Sequence, residues 1–226
     1  VEELKEDFTH NITHELKTPI AVAYAANDSL LNFPTDTPEK RKEYHLIVEE
    51  QLKQLGGLVE QILSMSRKEK KDFQLNYETI ELRPMVENII SRQLLKAEKP
   101  VSIRLQMEKD ISLRADRTHL SNMISNLSDN AEKYSDEKAD ICIKCQIQGK
   151  ACQISIIDKG IGIPLDKQPF LFNKFYRVPT GNRHDVKGYG LGLYYIKMMA
   201  ELHGGSIRVE SSPGKGSTFT LERPMK

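Results

Sequence analysis

Residues Phe8–Pro19 read FTHNITHELKTP. At about 100° per residue the stretch winds into a helix with two unlike sides. Val1, Leu4, Phe8, Ile12, Leu16, Ala23, Ala26 and Leu30 fall on one broad apolar face, while His10, His14 and Thr18, spaced i, i+4, i+8, line the other. A helix with this pattern buries the first face and presents His14 to solvent. Pro19 removes the N–H that would bond the Glu15 carbonyl, so a bend is expected one turn past His14, and Ile20 and Val22 leave the apolar phase there.

Three readings of His14 stand at this point. One is a satisfied structural side chain, which the position of the apolar face weakens. Another is a metal pair with His10; the spacing suits zinc, but Asn11 stands where a zinc protease carries Glu. The third is a nucleophile: at a pKa of about 6.5 imidazole is largely neutral at pH 7, so one ring nitrogen can attack while the other donates to Glu15. Its target must be supplied by the rest of the chain.

The 226 residues suit one large or two small domains. With 33 Lys+Arg against 32 Asp+Glu the net charge is +1, which predicts no nucleic-acid surface and no membrane contact. No apolar run of about 18 residues and no signal peptide is found. VEELKEDF enters in helical phase without a cap, as though continuing a longer helical protein. Three cysteines cannot complete a disulfide framework and favour a reducing compartment. Cys142 and Cys145 are three apart in the alternating ICIKCQIQ, so as strand residues they face opposite sides and read as incidental thiols.

The first helix is expected to end near Leu31, and Thr37-Pro38 to cap a second one reaching about Lys70. Tyr44, Val48, Leu52, Leu55, Val59 and Ile62 form a narrow stripe at spacings 4, 4, 3, 4, 3, the alternation of a supercoiled seam. Two antiparallel helices enclose little core, so the pattern predicts a homodimer closing a four-helix bundle. RKEKKDF then reads as a charged hinge. Beyond it strand-like and helical segments alternate, and the expected fold is an α/β two-layer sandwich, a mixed sheet with its helices on one face. The expected domains are 1–70, a helical hairpin, 71–78, a linker, and 79–226, the α/β domain.

Within that second domain, Leu120, Ile124, Leu127 and Ala131 share the core face of a helix capped by Asp116, and Asn126, Asn130, Lys133 and Tyr134 occupy the adjoining sector. An amide oxygen suits Mg²⁺, an ammonium suits phosphate, and a ring stacks on a base, although an ordinary polar flank has the same composition. Asp158 shares strand parity with Cys152, Ile154 and Ile156 and so points to the covered side. There a carboxylate needs donors, and a purine's exocyclic amine is one. Gly160 and Gly162 permit close approach of a flat ligand. Gly188, Gly190 and Gly192 open the next helix, a phosphate cradle of backbone N–H groups at a helix N-terminus. FNKFYR between them offers Lys174 and Arg177 on a loop able to close on a triphosphate.

These stretches together resemble the cytoplasmic core of a bacterial two-component sensor histidine kinase. HELKTP at His14–Pro19 is similar to that family's phosphoacceptor box, NLSDNAEKY at Asn126–Tyr134 to the N box, and DKGIGI from Asp158 to the first glycine box. FNKFYR at Phe172–Arg177 is similar to the F box, and GYGLGL from Gly188 to the second glycine box. All five stand in the family's order and span nearly the whole chain. The resemblance implies a dimerisation and phosphotransfer hairpin followed by a Bergerat-type ATP-binding domain, with ATP and Mg²⁺ as cofactors. It implies autophosphorylation on His14, transfer to an aspartate of a response-regulator receiver domain, and phosphatase activity toward that regulator. By resemblance Glu15 orients His14, Thr18 positions a hydrolytic water, and Asn130 ligates Mg²⁺ with Asn126 and Lys133 near the phosphates. Tyr134 packs on the base and Asp158 takes the adenine amine. Arg177 and the Gly188–Gly192 backbone, Leu191 included, hold the γ-phosphate end. Tyr189 departs from the family's usual small hydroxyl residue. A cytoplasmic location is implied, within a longer inner-membrane receptor. A chaperone- or topoisomerase-type ATPase of the same fold would have no use for the His14 hairpin.

Overall fold

The structure is a computed structural model that describes residues 2–32, 37–69, 74–97, 99–178 and 190–225; for 2–12, 14, 15, 54 and 60–69 the backbone alone is described. The chain divides into two compact units, Val1–Phe73 and Gln74–Lys226.

The first unit is a pair of packed long helices, α1 (Glu2–Asn32) and α2 (Pro38–Glu69). α1 continues through Pro19, which is buried, while Ile20 and Val22 beyond it stay 53% and 42% exposed, in keeping with their loss of phase. The start of α2 follows the expected cap: the Lys40 N–H donates to Thr37 Oγ1 at 3.4 Å and Pro38 occupies the first turn, where its missing N–H costs nothing. Ala26 reaches full burial and Leu16, Ala23, Leu30, Tyr44, Val48 and Leu55 are half-buried, so the expected inner faces do meet.

The second unit runs β1 (Tyr77–Glu81), α3 (Leu82–Lys96), β2 (Val101–Gln106), β3 (Ser112–Asp116), α4 (Arg117–Lys133), β4 (Ala139–Gln148), β5 (Ala151–Asp158), a 3₁₀ turn at Gln168–Phe170, α5 (Gly192–Leu202), β6 (Ser206–Ser212) and β7 (Gly216–Pro224). The main sheet has strand order β2-β4-β5-β7-β6. β2 and β4 are parallel and every other pair is antiparallel, which makes the sheet mixed as expected. One sheet does not hold all the strands. β1 and β3 pair only with each other, Tyr77 opposite Asp116 through Glu81 opposite Ser112. Alternation marks a segment as a strand; its partner is set by long-range packing.

The core lies on one face of the main sheet. Ile141, Ile143 and Cys145 of β4 and Cys152, Ile154 and Ile156 of β5 are buried there, and α4 packs on both strands through Leu120, Ile124, Leu127 and Ala131. Cys142 lies on the opposite, polar face, so the Cys142/Cys145 pair is split as strand parity requires. Burial pushes the Cys145 thiol up to about 12 and that of Cys152 up to about 11, so neither is a thiolate at neutral pH.

Candidate functional site

The site grows from α4. Asp116 caps this helix, its Oδ1 accepting the His119 N–H at 3.1 Å. The buried stripe on the sheet turns Asn126, Asn130, Lys133 and Tyr134 to the border, where all four are half-buried. The Asn126 amide nitrogen donates to the Asn122 carbonyl at 2.7 Å, which leaves its oxygen for other contacts. That oxygen lies 3.6 Å from where a Cβ on Gly192 would sit, so α5 begins directly beside it. Asn130 makes no side-chain hydrogen bond among the described residues. Lys133 holds its Nζ 5.7 Å from the Tyr134 ring centroid. Burial raises the Tyr134 pKa, and the positive charge of Arg177 pulls it back, which sets that arginine near the ring.

The end of α4 touches the loop after β5. The Tyr134 carbonyl accepts the Ile161 N–H at 3.1 Å, and a Cβ on Gly160 would come within 2.5 Å of that same oxygen. Gly162 has φ +68, and a Cβ there would meet the Ser212 carbonyl at 2.0 Å. Both glycines are required by close packing of the protein's own backbone.

Asp158 ends β5 with its carboxylate turned inward, 7% exposed. Its Oδ1 accepts two backbone N–H groups, from Gly160 at 2.8 Å and Ser217 at 3.1 Å. Burial pushes its pKa up, and these two donors oppose the shift. The donors expected from a ligand are thus partly internal, and they occupy one of the two oxygens. Ser217 and Gly216, at the start of β7, have no counterpart in the sequence reading. A Cβ on Gly216 would lie 2.0 Å from the Asp158 carbonyl, so these residues are built against the aspartate. The SSPGKGS stretch signals a turn, but nothing local says which strand it meets.

The segment Phe172–Arg177 is tied to the start of α5. The Phe175 N–H donates to the Gly190 carbonyl at 3.1 Å, with Phe175 at φ 70, an unusual conformation for a bulky residue that costs ~1–3 kcal/mol. Gly190 is also left-handed, at φ +68, and a Cβ on it would meet the Phe175 carbonyl carbon at 2.6 Å. Lys174 lies over the Phe175 ring, its Nζ 5.2 Å from the centroid. Leu191, buried, is the N-cap of α5 and makes no side-chain cap hydrogen bond, and the first N–H groups of a helix have no partner within it.

Asn126, Asn130, Lys133, Tyr134, Asp158, Gly160, Gly162, Gly190, Leu191 and Gly192 thus belong to connected segments of one unit. Gly188 and Tyr189 lie outside the described residues. His14 and Glu15 are in α1 with undescribed side chains, and Thr18, one turn on, is half-buried. Among the described residues no three His, Cys, Asp or Glu side chains gather as a metal site. Asn130 offers a hard amide oxygen at the border of α4.

Residues 4–71 match the His Kinase A (phospho-acceptor) domain and residues 115–226 the histidine kinase-, DNA gyrase B-, and HSP90-like ATPase domain. The sensor protein RprX of Bacteroides fragilis is 34% identical over 99% of this chain and 44% of its own length. The sensor-like histidine kinase SenX3 of Mycobacterium tuberculosis is 31% identical over 99% of this chain and 55% of its own. The Acinetobacter baumannii histidine kinase AdeS has the same fold, with a TM-score of 0.61 at 24% identity over 94% of this chain and 98% of that one. The chain spans about half the length of these two sequence relatives.

Proposed function

Because this chain belongs to the sensor histidine kinase family, we propose that it phosphorylates itself on His14 from ATP and passes the phosphoryl group to an aspartate of a receiver domain. The observation that carries the nucleotide half is Asp158, an inward carboxylate with Oδ1 held by two backbone donors and its other oxygen left for an adenine amine. Tyr134 borders the base, and the start of α5 at Leu191 and Gly192, beside Asn126, faces the phosphates. Arg177, Lys174 and Lys133 supply positive charge at the γ-phosphate end. Mg²⁺, held by Asn130 and phosphate oxygens, would neutralise charge building on the leaving ADP.

The neutral His14 imidazole attacks the γ-phosphorus. An N–P bond forms as the bond to the bridging oxygen breaks and ADP departs, while Glu15 holds the proton on the other ring nitrogen. Positioning and charge neutralisation do most of this work. The N–P bond is labile, so the phosphoryl group moves on to a carboxylate of the partner. Thr18, one turn beyond His14, orients a water that hydrolyses the resulting acyl phosphate. The seam of α2 closes against a second copy in a four-helix bundle. No described helix is long and apolar enough to cross a membrane, and we assign this segment to the cytoplasmic side of a longer receptor.

The test is incubation with γ-labelled ATP and Mg²⁺. Label that is acid-labile, base-stable and chased onto a receiver domain is expected. Acid-stable label, or ATP turnover without label, overturns the reading in favour of a plain ATPase.

A further inference from the structure

A dense set of bonds lies behind Asp158, and one hydroxyl is its hub. Ser211 Oγ, near the end of β6, accepts the Ile163 N–H at 2.8 Å, contacts the Gly216 carbonyl at 2.8 Å and lies 2.9 Å from Ser217 Oγ. A serine hydroxyl has one hydrogen and two lone pairs. A carbonyl only accepts, so the hydrogen goes to Gly216. Ile163 takes one lone pair, and the Ser217 hydroxyl must donate to the other. Every bonding position of Ser211 is then used, and the direction of each partner is fixed.

Those partners lead to both donors of the carboxylate. Ser217 gives Asp158 Oδ1 its backbone N–H, and Ile163 closes the loop from which Gly160 gives the second. Gln168 braces the same junction, its amide nitrogen donating to the carbonyls of Ile163 at 3.0 Å and Ser211 at 2.9 Å. The Gly214 N–H closes it on the far side, donating to the Ile161 carbonyl at 2.8 Å. Oδ1 is thereby held from two sides, which fixes the rotation of the carboxyl group and with it the direction of Oδ2.

We infer that Ser211 is the positioning residue for base selectivity in this site: its hydroxyl aims Asp158 at the exocyclic amine of a 6-aminopurine nucleotide. Gln168 supports the same alignment from the opposite side of the loop. The inference rests on the nucleotide-binding reading above and adds to it the residue that makes the site discriminate. Ser211 touches no nucleotide itself; it acts through the two backbone donors.

The test measures equilibrium dissociation constants of the full chain for ATP and for purine riboside triphosphate, which differs from ATP only in lacking the 6-amino group. Wild type prefers ATP. Ser211→Ala raises the ATP constant ~10-fold, the worth of about one hydrogen bond, and leaves that of the des-amino nucleotide within about twofold, so the preference collapses. Ser211→Thr keeps the hydroxyl and restores it. Equal weakening of both nucleotides by Ser211→Ala, or an unchanged preference, overturns the inference. If Ser211→Ala does not fold, Gln168→Ala replaces it and lowers the preference by about threefold; no change there is equally fatal. Failure of the wild type to bind either nucleotide would refute the ATP site itself and is separable from these outcomes.

Discussion

The helical hairpin and the α/β unit hold themselves together by different means. In the α/β unit, Ile80, Leu82, Val86, Ile124, Ile141, Ile143, Ile156, Tyr195 and Ile196 are 0% exposed, a core closed within one chain. In the hairpin, Leu52 and Val59 of the α2 seam remain 57% and 46% exposed, although they stand at the spacing of core positions. Each fully buried side chain of that size contributes ~1.5–3 kcal/mol, and the hairpin alone leaves much of this unclaimed. In the proposed dimer this seam meets a second copy. The chemistry divides in the same way. In the proposed chemistry the hairpin contributes His14, Glu15 and Thr18, all from one short stretch of α1. The α/β site depends on backbone groups of Gly160, Gly190 and Ser217 that the fold must bring together. A nucleophile on a helix needs only the helix, whereas a nucleotide site needs the whole sheet.

Each unit is therefore expected to be separately disabled while the other persists. The largest effect is expected from His14→Gln, which abolishes acid-labile labelling and leaves the ATP dissociation constant within about twofold. Labelling retained in this variant moves the phosphoacceptor elsewhere, His10 first. Asn130→Ala is the converse. Loss of the proposed metal-binding amide is expected to lower autophosphorylation ~10²-fold or more, as loss of preorganised charge stabilisation does elsewhere, while the dimer stays intact. Near-normal labelling would reject the metal assignment.

Thr18→Ala sharpens the comparison inside the hairpin. Loading of His14 is expected to stay within a few-fold of wild type, whereas dephosphorylation of the receiver domain slows ~10²-fold, the usual worth of orientation. Equal loss of both activities would give Thr18 a local structural role instead. Leu52→Glu should raise the dimer dissociation constant by about 10- to 100-fold by removing apolar burial in both copies, as read by sedimentation. The thermal transition of the α/β unit is expected to stay put. A shift of that transition would mean that the units stabilise each other.

The smallest effect concerns pH and the α/β unit alone. The His203 ring is buried, its Nε2 accepting the Asp116 N–H at 3.1 Å and its Nδ1 donating to the Met199 carbonyl at 2.7 Å. Burial lowers its pKa from 6.5. Asp116, Arg223 and His119 act on the ring electrostatically and Tyr77 stacks edge-on at 5.7 Å. The unfolded chain therefore takes up a proton at a pH where the folded ring does not, and stability is lost as pH falls below about 6.5. His203→Gln should flatten this part of the Tm-against-pH profile for the α/β transition, and an unchanged slope would exonerate the ring.

The same network shows where local reading stops. Asp116 was legible as the cap of α4 because the cap bond is three residues long. Its second oxygen accepts the Asn76 N–H at 2.9 Å, across 40 residues, and its own N–H goes to His203, 87 residues away. Neither contact leaves a trace in spacing. Arg177 and Tyr134 are similar. Each carries a chemistry that suggests phosphate or base, but their proximity follows from the docking of the F segment on Gly190.

Periodicity and residue chemistry alone determined the two long helices, the amphipathic α4, the alternation that splits Cys142 from Cys145, and the inward turn of Asp158. These are properties of ten or so consecutive residues, governed by the 3.6- and 2-residue repeats of the backbone. The tertiary structure decided that β1 and β3 leave the main sheet, that Gly160 and Gly162 yield to the protein's own carbonyls, and that Ser211 and Ser217 stand behind Asp158. Strand pairing and loop closure join residues whose separation along the chain carries no period. Only the packing of the whole unit selects among the partners that hydrogen bonding would otherwise allow.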